Sequence, residues 1–378
     1  MTTPTAPDQP GMLFQPVRLG PLTLGNRFVR SATWEGMAAE DGSVTDRLIG
    51  TLARLAKGGV GLVVAGHAYV LKQGQSGPWK TGVHDPSMKP GLTALASAVR
   101  EAGGKVAAQL AHGGIKASVK LTGMEALGPS DGEGFRAMTA EEIEAATQAF
   151  GRAALLCRES GFDAVQIHAA HGYLLSQFLS PFYNKRADGY GGSLENRARF
   201  LVSVARAVRQ AVGDGYPVLC KLNSEDFLPG GLSMNESLEV AVMLKEAGLD
   251  ILELSGGTGD SGKLSPVRVG RARSPEDEGY FKQAAARFKA GVDLPLILVG
   301  GIRSPEAAAR LVADGVCDAV SMCRPLIREP DIINRWKSGD TRPSACVSDN
   351  LCFRPAMSGE GIYCLTEKKQ AAVRTNRD

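Results

Sequence analysis

Arg27-Phe28-Val29-Arg30-Ser31-Ala32-Thr33-Trp34-Glu35 decides between two parallel α/β folds. Its start reads as the first strand of a sheet. A doubly wound nucleotide-binding sheet would follow that strand with a GxGxxG turn, because the backbone must there pass close to a pyrophosphate. Ser31 to Glu35 holds no glycine. A (β/α)8 barrel makes no such demand, since its ligands are held by many strand ends together.

Working outward, Leu13 to Leu24 reads as two short strands around Gly20-Pro21, a β-hairpin placed to floor a barrel. Downstream, buried strands are expected at 61–65, 106–110, 161–166, 217–222, 251–254, 296–299 and 318–322. Helices are expected between them, at 45–57, 92–100, 139–160, 201–212, 237–247, 281–290 and from Ser304. Thr139 and Glu142 fit a capping box, and Pro305 suits a first helical position. Eight strands alternating with helices give a (β/α)8 TIM barrel over residues 12–335, after a flexible tail at 1–11 and before a C-terminal extension at 336–378. The glycine-rich stretches 112–138 and 255–279 lack periodicity and read as loops over one mouth of the barrel.

Composition narrows the class. The 378 residues are 43% hydrophobic and 22% charged, with a net charge of +3 and both signs scattered. No basic run points to nucleic acid or a membrane surface, and no apolar run is long enough to span a bilayer. Met1 to Pro10 is polar and proline-rich, unlike a signal peptide. Seven cysteines in so long a chain do not form a disulfide framework, and a reducing cytoplasm is the expected home.

The chemistry is concentrated just beyond the fourth strand, in Ile167-His168-Ala169-Ala170-His171-Gly172-Tyr173. Strand carboxyl ends are where barrels keep catalytic side chains. Two neutral imidazoles can donate N–H bonds to one oxygen, and a phenol can donate a proton. His168, His171 and Tyr173 therefore suit a carbonyl that is polarised while a neighbouring carbon is reduced and protonated. A metal would need a third protein ligand, and none follows at suitable spacing.

Barrels often hold phosphate between the loops after strands seven and eight. Gly300-Gly301 there offers bare backbone, and Cys323-Arg324 offers a guanidinium. Gln109 and Lys221 end strands three and five, where an amide and an ammonium can hold the polar edge of a flavin and stabilise its charge on reduction.

Taken with Ser180-Pro181, Asn184, Arg186, Asp188, Tyr190-Gly191-Gly192-Ser193, Glu195-Asn196-Arg197 and Arg199-Phe200, the His168-to-Tyr173 run resembles the signature of the old yellow enzyme family. Leu13-Phe14-Gln15-Pro16, Asn26-Arg27, Gly300-Gly301 and Arg324 are similar to it as well, so the resemblance spans residues 12 to 330 in order. It implies FMN in the barrel, reduced by NADH or NADPH, and an ene-reductase acting on activated alkenes such as α,β-unsaturated carbonyl compounds. By motif position, His168 and His171 bind the substrate oxygen and Tyr173 protonates the α-carbon. Gln109 meets the flavin ring, and Gly301 and Arg324 take its phosphate. Arg197 is implied to be structural.

Three departures from the pattern stand out. Lys221 replaces an arginine common in relatives, keeping charge but losing bidentate bonding. Ser31, Ala32 and Thr33 lie where relatives tune the flavin, and Trp34 beside them is expected to shape the substrate pocket. Cys346, Cys352 and Cys364 resemble the iron–sulfur segment of longer members such as 2,4-dienoyl-CoA reductase, but Asp349 occupies the second cysteine's place. A hard carboxylate suits a cluster poorly, so free thiols are expected there and no iron–sulfur cluster or other metal. The resemblance also leaves open a flavin demethylase or dehydrogenase, an electron carrier with a metal cluster, and a homo-oligomer.

Overall fold

The computed structural model describes residues 11–270, 272 and 274–375. A hairpin of Val17–Leu19 (β1) and Leu22–Leu24 (β2) precedes the first barrel strand, Phe28–Arg30 (β3). Leu62–Tyr69 (β4) and Lys105–Ala111 (β5) follow, then a short parallel pair, Ala126–Gly128 (β6) and Phe135–Ala137 (β7). The barrel continues with Ala164–Ala169 (β8), Val218–Asn223 (β9), Ile251–Ser255 (β10), Leu296–Val299 (β11) and Ala319–Met322 (β12). The eight parallel strands β3, β4, β5, β8, β9, β10, β11 and β12 close on themselves in chain order, a (β/α)8 TIM barrel.

Side chains alternate across each strand, so every second residue enters the barrel. The lower layer is apolar: Val29, Leu62, Val64, Ala107, Ala164, Leu219, Ile251, Ile297 and Ala319 form one cluster with Leu19, Leu22 and Leu24 of the hairpin. The hairpin thus seals the amino-terminal mouth. Two residues further along the strands the interior turns polar, at Ser31, Gln109, Gln166, Lys221, Glu253 and Ser321, all buried. Sealing the lower mouth leaves the polar layer open only toward the loops.

Helix starts follow local capping. Thr139 and Ser233 each form a full capping box, with Glu142 and Glu236, before helices Ala140–Glu159 and Met234–Glu246. Ser304 caps Pro305–Ala313, whose proline lies in the first turn. The helix expected from residue 201 begins at Leu194, because Ser193 accepts from the Asn196 amide and starts it earlier. Leu13 and Phe14 lie in a 3-10 turn, Gly11–Phe14, and not in a strand. β4 runs four residues past its expected end, to Tyr69. The expected tail at 1–11 lies outside the described residues except for Gly11.

The C-terminal segment returns across the open mouth. Its Ser344 amide donates to Arg303 O at 2.7 Å, and its Ile362 amide donates to Glu35 O at 2.8 Å. Among the described residues, no helix is long and apolar enough to cross a membrane.

Candidate active site

Strand register assembles the centre of the site. Gln109 lies opposite Gln166, His168 opposite Lys221, and Lys221 opposite Glu253 on adjacent strands. Gln109 donates to Gln166 Oε1 and Gln166 donates to Glu253 Oε2, both at 2.8 Å. Glu253 Oε1 accepts from Ser31 at 2.7 Å and Ser321 at 2.6 Å, and lies 3.3 Å from the Lys221 ammonium. Lys221 Nζ also donates to Ser31 Oγ at 2.5 Å. Burial alone would raise the Glu253 carboxyl, but Lys221 and these hydroxyl and amide donors hold it below its ordinary value. Lys221 is therefore a compensated cation.

Above this layer stands a group of aromatic donors. His168 and Tyr173 have ring centroids 5.0 Å apart, and His168 and His171 are 5.4 Å apart. Their convergence depends on a reversal after β8, where His171 and Gly172 both take left-handed backbone, φ 65° and 73°. A non-glycine residue there costs about 1–2 kcal/mol. The Asn223 side chain accepts from the His171 amide at 3.2 Å, and Lys116 Nζ donates to its carbonyl at 3.1 Å. His171 Nε2 lies 2.7 Å from Ser255 Oγ. His168 Nδ1 is buried and finds no hydrogen-bond partner among the described residues. Leaving it unpaired carries a desolvation cost.

Electrostatics keep these groups in their neutral forms. Burial drives both His168 and His171 well below the ordinary imidazole value, and Lys221 adds to it. Burial raises the Tyr173 phenol, with the Ser76 hydroxyl pulling slightly the other way. Two uncharged imidazoles and a protonated phenol result at neutral pH.

A third imidazole, His67, joins them, with its ring centroid 4.9 Å from Tyr173. It hydrogen-bonds through Nε2 to Lys80 Nζ. Lys80 also sits 5.5 Å from the Trp34 ring, and Lys116 sits 5.6 Å from the Tyr173 ring. All of these side chains line one cavity of about 730 Å³, together with Ser31, Ala32, Thr33, Gln109, Lys221, Gly300 and Cys323. Trp34 is fastened at its rim by an indole N–H bond to Pro78 O, 3.1 Å. The C-terminal segment contributes Phe353 and Met357 to the same cavity.

Gly300, Gly301, Cys323 and Arg324 line a second, smaller hollow of about 70 Å³, with Arg303 beside them. Gly300 and Gly301 have φ of 128° and 73°, and a Cβ at Gly301 would lie 2.4 Å from the Tyr280 ring. Only glycine fits that backbone. Arg324 is oriented by bonds to Arg268 O and Asn350 Oδ1, both 2.7 Å. Cys323 Sγ lies 2.7 Å from Thr33 Oγ1, joining the ends of the first and eighth strands.

Cys346, Asp349, Cys352 and Cys364 line a space of only about 20 Å³ behind Arg324. Asp349 is occupied by the Thr366 hydroxyl at 2.5 Å and the Leu351 amide at 3.1 Å. Among the described residues, no three His, Cys, Asp or Glu side chains converge closely enough to hold a metal ion. Arg197 lies outside the cavity and ties Leu179 O and Gly192 O to Glu236.

Residue-level reading of the sequence missed His67, Lys80, Lys116, Gln166, Glu253 and Ser255. Two had a signal. His67 lies near the end of a strand read as ending at Ala65, and Glu253 is a charge inside an otherwise apolar strand, which demands a buried partner. Lys80 and Lys116 lie on connecting segments beyond strand ends, where no periodicity marks them.

The NADH:flavin oxidoreductase / NADH oxidase family matches residues 12–342. An NADH oxidase of Thermoanaerobacter brockii is 34% identical over 96% of this chain, which spans 58% of that relative's length. A 4,4'-dithiodibutanoate disulfide reductase of Rhodococcus erythropolis is 34% identical, and 95% of each chain is covered. The solved structure of a 2-naphthoyl-CoA reductase in complex with 2-naphthoyl-CoA superposes with a TM-score of 0.84 at 31% identity, covering 94% of this chain and 56% of the other. The chain belongs to the NADH:flavin oxidoreductase / NADH oxidase family, the old yellow enzyme-like FMN oxidoreductases.

Proposed function

We propose that this chain is an NAD(P)H-dependent FMN enzyme that reduces the C=C bond of α,β-unsaturated carbonyl compounds. The observation that carries the reading is the neutral, convergent set of His168, His171 and Tyr173 over a cavity floored by Gln109 and Lys221.

The residues present fit FMN. The larger cavity has room for a flat ring system, and the smaller hollow supplies a glycine cradle and the Arg324 guanidinium for a phosphate. Gln109 and Lys221 would hold the ring's polar edge, Ser31, Ala32, Thr33 and Cys323 would flank it, and Gly300, Gly301 and Arg324 would hold the phosphate. Bound FMN would supply the hydride, collected from NADH or NADPH.

The protein's own part is to polarise and to protonate. His168 and His171 offer N–H donors to the substrate oxygen, drawing charge from the alkene without carrying charge themselves. Ser255 fixes the ring of His171. Tyr173, held protonated by burial, gives its phenolic proton to the α-carbon, and the phenolate formed is stabilised by Lys116 nearby. Trp34 closes one wall and sets the shape of what enters.

A cavity lined by Lys80 and Lys116, with no carboxylate among the described residues of its lining, is poorly suited to a cationic amine, which disfavours the dehydrogenase reading. Anaerobic incubation with NADPH or NADH and 2-cyclohexenone, and separately of the oxidised enzyme with trimethylamine and an artificial electron acceptor, tests this. Saturated ketone from the first and no demethylation of the second is the expected result; the reverse overturns the proposal.

A further inference from the structure

We infer that Lys80 and Lys116 make this site selective for substrates that carry a carboxylate in addition to the carbonyl. The inference takes from the proposed function only the position of the carbonyl on His168 and His171.

Both lysines border the Tyr173 end of the site: Lys116 lies 5.6 Å from the Tyr173 ring, and Lys80 bonds His67, whose ring centroid is 4.9 Å from that of Tyr173. Lys80 is 6% exposed and Lys116 is also drawn in beside the cavity wall. Among the described residues, neither ammonium lies within ion-pair distance of a carboxylate. The acid nearest in influence to Lys80 is Glu35, which is already engaged by Arg30 at 2.8 Å and by the Gly66 amide at 3.0 Å. Lys116 feels Asp260 and Asp226 only at a distance and spends one donor on His171 O. An ammonium has three donors. Lys80 uses one on the His67 ring nitrogen, so both cations keep donors free.

Burying a cation without a counter-ion is costly, and burying two beside one cavity more so. Burial accordingly draws the Lys80 amine down to about 7 against the pull of Glu35. A carboxylate bound at either ammonium removes the penalty there. A neutral substrate would leave it in place. The remaining lining on that side, Ser76, Gly77 and Pro78, adds no negative charge. A short unsaturated keto acid meets this chemistry: its ketone oxygen on the imidazoles, its carboxylate on an ammonium group beside them.

The test titrates the holoenzyme with 4-hydroxybenzoate and with its uncharged counterpart 4-hydroxybenzamide, reading the shift in flavin absorbance. The acid is expected to bind about tenfold or more tightly than the amide. Lys80→Met and Lys116→Met should each lower that ratio, the double variant should bring it near one, and Lys80→Arg should preserve it. A ratio near one in the wild-type protein overturns the inference, as does a ratio unchanged in both single variants. Because the readout is a ratio of two ligands in one protein, a general loss of affinity does not imitate the effect. Turnover of (E)-4-oxopent-2-enoate against its amide separates the two proposals. Acid-selective binding with no reduction of either alkene would retain the recognition by lysine and defeat the ene-reductase reading. Reduction of both alkenes with equal kcat/KM would do the opposite.

Discussion

Glu253 Oε1 and the Lys221 ammonium face each other at 3.3 Å in the centre of the barrel, and both side chains are buried. Lys221 therefore reaches the cavity as half of a neutralised pair, with Ser31 and Ser321 completing the carboxylate's bonds. Removing Glu253 alone, as Glu253→Ala, strands a buried cation and should cost about 3–5 kcal/mol in chemical denaturation. Replacing both, as Lys221→Met with Glu253→Leu, should recover much of that loss. Additive losses would show that the pair is not coupled.

Tyr173 is held protonated by burial. Tyr173→Phe should retain flavin and its reduction by NAD(P)H, while oxidation of the reduced enzyme by an enone slows by about a hundredfold. Stopped-flow measurement of each half-reaction checks it. An unchanged oxidative half-reaction would remove Tyr173 from the acid role.

Phenols should bind as anions to the imidazole N–H groups. His168→Ala and His171→Ala should each weaken binding by about 1.5–3 kcal/mol, roughly tenfold or more in Kd. Equal affinity for phenol in wild type and both variants would place the anion elsewhere.

All five imidazoles, His67, His84, His112, His168 and His171, are held below their ordinary value, burial being the first cause in each. For His112 the value falls to about 4. The unfolded chain's imidazoles take up protons near pH 6.5 while the folded chain's do not, so their contribution to stability is complete above that pH and is lost as pH drops below it. Each of them other than His84 contributes about 1.4 kcal/mol per pH unit in that window. Denaturation at pH 7 and pH 5.5 should show the loss, and His112→Asn should make it shallower. A stability that rises on acidification to pH 5.5 would contradict the buried neutral state.

The barrel was legible because each strand is a short apolar run between glycines and amphipathic helices. Which residues face the interior, such as Val29, Ala107 and Ala164, was not, because these strands are apolar at nearly every position and buried on both faces. His168, His171 and Tyr173 were legible because one short stretch carries all three past a strand end. The turn that aims them was not: nothing in the sequence says that His171 adopts a left-handed backbone, which Asn223 at the end of β9 and Lys116 after β5 hold in place. Phe353 and Met357 were hidden for a similar reason, since they enter the cavity from a segment far away in the chain.

FMN-dependent alkene reduction is read from the visible spectrum of the purified protein under anaerobic conditions, recorded before and after adding NADH or NADPH and then 2-cyclohexenone. Flavin absorbance that bleaches with the nicotinamide and returns with the enone is the expected result. A protein that binds no FMN when supplied with it, or whose bleached flavin is not reoxidised by any activated alkene, would contradict it.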